Sequence, residues 1–287
     1  MSDKLDKLRA EMKKRGVDGF FIPRADEFQG EYVPACAERL EWITGFTGSA
    51  GSAVALTSKA GFFSFVRYTL QGSAQVDAND FDICNISENQ HPIPTMTPYQ
   101  WIEKNLGAGE VFGIDPWLDS PNEAARIRTA VEKAGGTLAF LDSNPLDAAW
   151  GAARPAKPME PAVVHPLVFS GKPSDEKRRD VAAELVTKGS VALAVTLPEE
   201  ICWLLNIRGN DVPKTPFVLS YALAHADGKV DWFVDAAKIS DEVRQWVGPD
   251  VTIHPREDFK AHLEQTAAAG KIWVDPASAP VAVENII

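Results

Sequence analysis

Arg67 follows directly on the apolar run at residues 62–66 and precedes Tyr68 at the start of a helical stretch. A guanidinium at the edge of a sheet can grip a carboxylate through two parallel hydrogen bonds. The plainer alternative for the same residue is a surface ion pair, since arginine is mostly exposed. Asp26, Glu27 and Glu31 form the densest acidic loop of the first half. As a lone group such carboxylates are expected to be solvated surface. The other reading is a loop that helps close an active site carried elsewhere. Gly45, Gly48 and Gly51 suggest a phosphate cradle, but the spacing opposes it. A dinucleotide fingerprint is G-x-G-x-x-G between a strand and a long helix. Here the glycines fall at equal intervals, after an apolar helical stretch (Arg39, Leu40, Trp42, Ile43) and before a hairpin. A structural turn is therefore expected. Ser49 is not a nucleophile elbow, because G-x-S-x-G is not met around it.

Metal chemistry needs clustered His, Cys, Asp or Glu. The sequence has no HExxH and no paired CxxC. Its histidines are His91, His165, His225, His254 and His262. Three of them (His91, His165, His254) precede proline, which places them in extended loops rather than on a ligand-bearing helix. Asp175-Glu176 and Glu199-Glu200 stand at helix starts, where carboxylates complement the dipole. Arg208-Gly209-Asn210-Asp211 reads as a turn stabilised by its Asn and Asp side chains, with an interface contact as the alternative. No catalytic or metal-ligating residue is assigned on these grounds, and no self-contained active site is expected.

The elements that must position these residues alternate. With 287 residues the chain suits two domains. Hydrophobic residues make up 45% and charged residues 24%, an ordinary globular balance. The net charge of −11 argues against nonspecific binding to nucleic acid or an anionic membrane. No apolar run approaches the about 20 residues that span a bilayer. Residues 1–16 lack a hydrophobic signal core, and three scattered cysteines (Cys36, Cys84, Cys202) fit buried thiols, so a cytoplasmic location is expected.

Ser2 can cap a helix carrying Leu5, Leu8 and Met12 on one face. Strands are expected at 17–22, 53–57, 62–66, 81–86, 111–115 and 137–141, and helices at 67–76, 97–106 and 121–134. Ser120-Pro121 supplies a cap and an N1 proline for the last of these. Residues 91–98 read as proline-rich loop. Residues 154–173 hold Pro155, Pro158, Pro161, Pro166 and Pro173 and read as a connector that cannot be helical, placing a boundary near 157. The second half gives a capped helix at 174–188, a strand at 191–195 and a helix at 199–205 that carries Trp203. Thr196 and Glu199 suggest a capping box there. A hairpin at 217–226 and 230–235 turns around Asp227-Gly228. Alternating helix and strand follow at 240–247, 251–254, 256–267 and 271–275. Both halves thus run through one plan, with Trp42 and Trp203 at matching places. The expectation is an α/β chain made of two diverged copies of one unit.

A family resemblance becomes specific at three stretches. Residues 26–34 (DEFQGEYVP) with 39–51 (RLEWITGFTGSAG), residues 67–71 (RYTLQ) and residues 201–212 (ICWLLNIRGNDV) resemble the N-terminal domains of the Xaa-Pro aminopeptidases, the aminopeptidase P branch of the M24 peptidases. The resemblance covers essentially the whole chain in register. It implies two tandem creatinase-N-type domains, 1–157 and 158–287, each a mixed sheet with helices on both faces. In such long, three-domain members the enzyme proper is a third, C-terminal pita-bread domain. There two divalent ions, usually manganese, are held by two Asp, one His and two Glu, and a metal-bound hydroxide cleaves the bond before proline. The sequence ends at Ile287, ahead of where that domain would begin, so none of those ligands is placed here. The resemblance also implies that Arg67 reaches the substrate pocket from the first domain. Two departures stand out. Phe28 occupies a place where the family commonly has His, and Val66 rather than Asp-Gly precedes Arg67.

The expected function is that of the noncatalytic two-domain portion of a Xaa-Pro aminopeptidase. It would narrow substrate access and support homodimer formation, inactive on its own and without a cofactor. Its partners would be the C-terminal catalytic domain of the same protein and, in the parent, proline-containing peptides, with no nucleic acid and no membrane. The rival is a stand-alone binding or regulatory module. A small-molecule enzyme using residues 45–51 as a nucleotide loop is a weaker third.

Overall fold

In a computed structural model that describes residues 3–86 and 93–287, eleven strands among the described residues form two mixed sheets of six and five, and two more form a separate ribbon. The first sheet uses β1 (Gly19–Pro23), β2 (Gly51–Leu56), β3 (Ala60–Ser64), β4 (Asp82–Asn85), β5 (Val111–Ile114) and β6 (Thr137–Phe140). Their order is β4-β3-β2-β1-β5-β6. The ribbon pairs β7 (Val163–Val164) with β9 (Ile207–Arg208). The second sheet uses β8 (Ala192–Val195), β10 (Tyr221–His225), β11 (Val230–Phe233), β12 (Val251–His254) and β13 (Ile272–Trp273), in the order β12-β11-β10-β8-β13.

Strand by strand the two sheets share one plan. In the first, β1 pairs antiparallel with β2 and parallel with β5, β2 is antiparallel to β3, and β3 is parallel to β4. In the second, β8 pairs antiparallel with β10 and parallel with β13, β10 is antiparallel to β11, and β11 is parallel to β12. Among the described strands of the two sheets, β6 alone has no counterpart. The helix between the first two strands of each plan carries Trp42 in one case (Arg39–Thr44) and Trp203 in the other (Pro198–Leu205). The internal echo read from the sequence is thus a repeat of topology.

Helices cover both faces of each sheet, because successive strand residues point to opposite sides. On β3, Phe62 meets Phe46 (ring centroids 4.8 Å apart) while its neighbour Phe63 meets Trp101 on the helix Pro98–Asn105 (6.1 Å). On β11, Trp232 joins Ile201, Leu205 and Val243 in one core, while Phe233 turns to Phe259 on the helix Phe259–Ala269 (5.3 Å).

The described chain divides into two compact units, residues Met1–Asp26 with Ala35–Ala156 and residues Glu27–Pro34 with Lys157–Ile287. Most of the acidic loop therefore belongs to the second unit. The proline-rich stretch is not a bare connector. Ala162 is buried, its N–H donates to the Lys238 carbonyl (2.9 Å), β7 pairs with β9, and Leu167–Ser170 forms a helical turn between its prolines.

Several local expectations need correction. The stretch 67–76 splits into a 3-10 turn (Val66–Tyr68) and a helix (Thr69–Gln75), and 256–267 splits likewise after Asp258. The helix Pro198–Leu205 begins after Leu197, a residue with no side-chain acceptor, so the capping box expected from Thr196 and Glu199 does not form; Thr196 is buried. The helix Ser174–Lys188 likewise starts after Pro173 without a side-chain cap. The cap at Ser120 forms as expected, and Thr97 caps its helix with a full capping box to Gln100 that the sequence reading does not include. Ser2, His91 and part of the 91–98 loop lie outside the described residues.

Candidate functional site

In the first unit the glycine turn and Arg67 come together. Gly45 takes a left-handed conformation (φ 80°) and closes the helix Arg39–Thr44. A Cβ on Gly48 would lie 2.1 Å from Cζ of Phe46, and one on Gly51 2.9 Å from the Phe63 carbonyl. Gly48 and Gly51 thus serve close packing. The turn is tied to the helix Thr69–Gln75. The Thr47 N–H donates to Gln75 Oε1 (3.0 Å), and Gln71 and Gln75 each donate to Thr47 Oγ1 (2.9 Å).

Ser49 Oγ lies 2.7 Å from the Tyr68 hydroxyl, and the Arg67 guanidinium lies over the Tyr68 ring, 4.9 Å from its centroid. The hydrogen bond with Ser49 pulls the Tyr68 hydroxyl below its ordinary value. Arg67 itself is exposed, with no carboxylate partner among the described residues. Around it stand the exposed apolar side chains Phe65, Val66 and Leu70, the last 76% exposed. Val66, where the resemblance led one to look for Asp-Gly, starts the 3-10 turn that presents the arginine. The chemistry available is bidentate recognition of a carboxylate beside an apolar collar.

The acidic loop differs from its reading as solvated surface. Asp26 is 1% exposed. In the second unit, Glu27 pairs with Arg256, whose guanidinium lies 5.1 Å from the Phe28 ring and 5.8 Å from the Tyr221 ring. Phe28 is buried and packs on Tyr221 at 4.9 Å, and Tyr221 stacks on Phe259 at 4.5 Å. An imidazole at position 28 would be polar where the surroundings are aromatic.

On the same face of the second sheet lies a group that the spacing of the sequence does not reveal. Asp231 on β11 bonds His225 Nε2 through Oδ2 (2.8 Å) and His254 Nε2 through Oδ1 (2.9 Å). The rings of His254 and His262 lie 4.3 Å apart, and Phe233 flanks both. Burial pushes the Asp231 carboxyl up, but the hydrogen bonds and charges of His225 and His254 outweigh it and hold the carboxyl at about 2. Asp231, His254 and His262 each offer one ligand atom, all within 4.8 Å of one another. His254 closes a strand and His262 sits on a helix, so the expectation that the proline-preceding histidines occupy loops holds for His165 but not for His254.

Arg208 and Asp211 do not simply shape a turn. Arg208 donates to the carbonyls of Cys202 (3.0 Å) and Ile207 (2.7 Å). Asp211 is buried with Lys238 at 2.6 Å and also accepts from the Leu219 N–H. All three cysteines are buried, and none forms a disulfide among the described residues.

Residues 4–146 match the creatinase/prolidase N-terminal domain family, and residues 153–287 match a second family of the same description. The chain belongs to the creatinase/prolidase N-terminal domain family, in two tandem copies with mixed α/β sheets. Its whole-length likeness is to X-prolyl aminopeptidases. It is 37% identical over 270 residues to a probable Xaa-Pro aminopeptidase P of Ajellomyces dermatitidis, covering 93% of this chain and 43% of that one. A relative in Talaromyces stipitatus is 36% identical over 267 residues, with 93% and 40% covered. Among solved structures, the X-prolyl aminopeptidase of Caenorhabditis elegans, described as a cytosolic enzyme with a di-nuclear active site, superposes with a TM-score of 0.91 at 25% identity. That match covers 100% of this chain and 49% of the other. The chain thus spans under half the length of these relatives. Among the described residues no helix is long and apolar enough to cross a membrane.

Proposed function

We propose that this chain is the noncatalytic N-terminal two-domain portion of a metal-dependent Xaa-Pro aminopeptidase. The parent would remove the N-terminal residue preceding proline from short peptides. The two units would limit access to a C-terminal catalytic domain of the same protein and support a homodimer, in the cytoplasm. The observation that carries this reading is the exposed Arg67, held on a braced turn with Phe65, Val66 and Leu70 beside it. A cation set in an apolar collar suits a surface that meets both a peptide carboxylate and another protein domain. The whole-chain likeness to X-prolyl aminopeptidases supports it.

The parent's chemistry would be supplied by two divalent ions, manganese by preference, polarising the scissile carbonyl and generating hydroxide. The residues here do not suit such a pair. Among the described residues the clustered ligand set is one Asp with two His, not the two Asp, one His and two Glu that the pair would use. The test is direct. Purified alone, the chain should leave Xaa-Pro peptides intact with manganese added, and the reading frame should continue past codon 287 with Asp, Asp, His, Glu, Glu in order. Metal-dependent turnover above a buffer control, or a natural stop after Ile287, overturns the proposal.

A further inference from the structure

We propose that Asp231, His254 and His262 form a binding site for one borderline divalent cation of the zinc class, separate from any paired-ion centre of the parent. The site is built from three elements of the second sheet's face. Asp231 projects from β11, and His254 comes from the end of the parallel neighbour β12, one register step on, where it pairs with Phe233. His262 comes from the helix Phe259–Ala269, which lies over that face. One carboxylate and two imidazoles form a donor set that suits zinc, cobalt(II) or nickel rather than calcium or magnesium.

The geometry is close to what a tetrahedral ion requires. Metal–ligand bonds of about 2.0–2.2 Å place ligand atoms roughly 3.4 Å apart. The three ligand atoms here already lie within 4.8 Å of one another. Small side-chain rotations draw them in. The fourth position is left to water.

Two observations separate this group from an ordinary hydrogen-bonded histidine pair. First, among the described residues neither ring nitrogen of His262 carries a hydrogen bond, although the ring sits 4.3 Å from His254 and beside Phe233. A part-buried imidazole placed against a histidine–carboxylate pair without a partner of its own is arranged as a ligand. Second, His225 holds the other carboxylate oxygen, Oδ2, at 2.8 Å. That is the supporting contact that orients a ligating carboxylate. On binding, Asp231 Oδ1 and His254 Nε2 exchange their mutual hydrogen bond for bonds to the ion, and the proton between them moves to His254 Nδ1 or is released to solvent. The bound ion would pin the helix Phe259–Ala269 to β11 and β12.

The experiment uses the full chain without a histidine tag. Cobalt(II) chloride is titrated in and visible absorption is read between about 500 and 650 nm, the d–d region of a low-coordinate site. The expected result is a band that saturates at one equivalent and is displaced by zinc, with Tm raised by zinc relative to EDTA. His262→Ala and Asp231→Asn should abolish the band, while His225→Ala should keep it and weaken affinity 10-fold or more. Each variant's Tm in EDTA and far-ultraviolet circular dichroism establish that it is folded; for a variant that is not, His262→Gln takes its place. No saturating band in the folded wild-type chain overturns the proposal. So does a band that survives intact in the folded His262 variant. Both outcomes are independent of whether the chain lacks peptidase activity.

Discussion

Arg39 and Asp147, 108 residues apart, meet through two parallel hydrogen bonds, Nε to Oδ1 at 2.7 Å and Nη2 to Oδ2 at 2.9 Å. Arg154 reaches the same carboxylate at 2.6 Å and donates to the Cys36 carbonyl at 2.7 Å. Asp147 thus fastens the helix Pro145–Trp150 to the helix Arg39–Thr44, where Trp42 and Trp150 stack at 5.4 Å. Asp147→Ala leaves the Arg39 guanidinium buried without its anion. The expected loss is about 3 kcal/mol, the low end for a broken buried pair, because Asp147 keeps 23% exposure. Urea unfolding followed by tryptophan fluorescence measures it, and a loss under about 1 kcal/mol would show the pair to be ornamental.

Phe28 is enclosed by Tyr221 and the Arg256 guanidinium. Phe28→Ala should destabilise the second unit by about 3 kcal/mol. Trp232, fully buried in that unit, is a reporter of its unfolding. A substitution tolerated without a shift in the denaturation midpoint would contradict this packing.

Asp119 is 1% exposed and neither carboxylate oxygen has a hydrogen-bond partner among the described residues. Burial pushes its carboxyl well above the ordinary range, and the charges of Glu123 and Asp115 add to the shift. The sign follows from linkage. Below the unfolded value of about 3.9, both states hold the proton and the shift costs nothing. As pH rises past that value the unfolded state releases its proton and the native state does not, so stability falls until the native pKa is passed. Asp119→Asn should therefore stabilise the first unit more at pH 7.5 than at pH 4. Equal effects at the two pH values would refute the shift.

Gly48→Ala forces a Cβ into the Phe46 ring. The cost should be about 2 kcal/mol from overpacking. Because Phe46 also meets Tyr68 edge-on at 5.5 Å, the displacement should disturb the seat of Arg67. A thermal melt together with the crystal structure of the variant checks both.

Arg67→Ala removes an exposed side chain and should change stability by no more than about 0.5 kcal/mol. In the complete parent enzyme it should raise KM for peptides with little change in kcat, as expected when ground-state and transition-state binding are lost together. An unchanged KM would remove Arg67 from substrate recognition.

Much of this arrangement was legible in the sequence because periodicity and caps are local. Ser120-Pro121 and Thr97 marked helix starts that form as read, and Asp227-Gly228 marked the β10–β11 hairpin, with Gly228 at φ 86°. The helix Pro145–Trp150 escaped notice although its signal was present, an Asn144 cap that accepts from the Leu146 and Asp147 N–H groups, followed by proline. The side-chain groups were less legible. In the sequence Glu27 has the look of solvated surface, because its partner Arg256 lies 229 residues away. Asp231, His254 and His262 follow no spacing rule, since the register of two parallel strands and the return of a helix bring them together. Burial of Asp26 and the Asp211–Lys238 pair is likewise a property of tertiary packing, which no short motif encodes.

The second unit draws residues Glu27–Pro34 from a position before most of the first unit's sequence. It is therefore not a cassette that one genetic crossover can transplant. An exchange made at residue 157 would deliver a recipient protein in which Arg256 faces an empty place instead of Glu27 and Phe28. Evolution by module shuffling is handicapped for such an interlaced pair, and inheritance of the two together is the path of least loss.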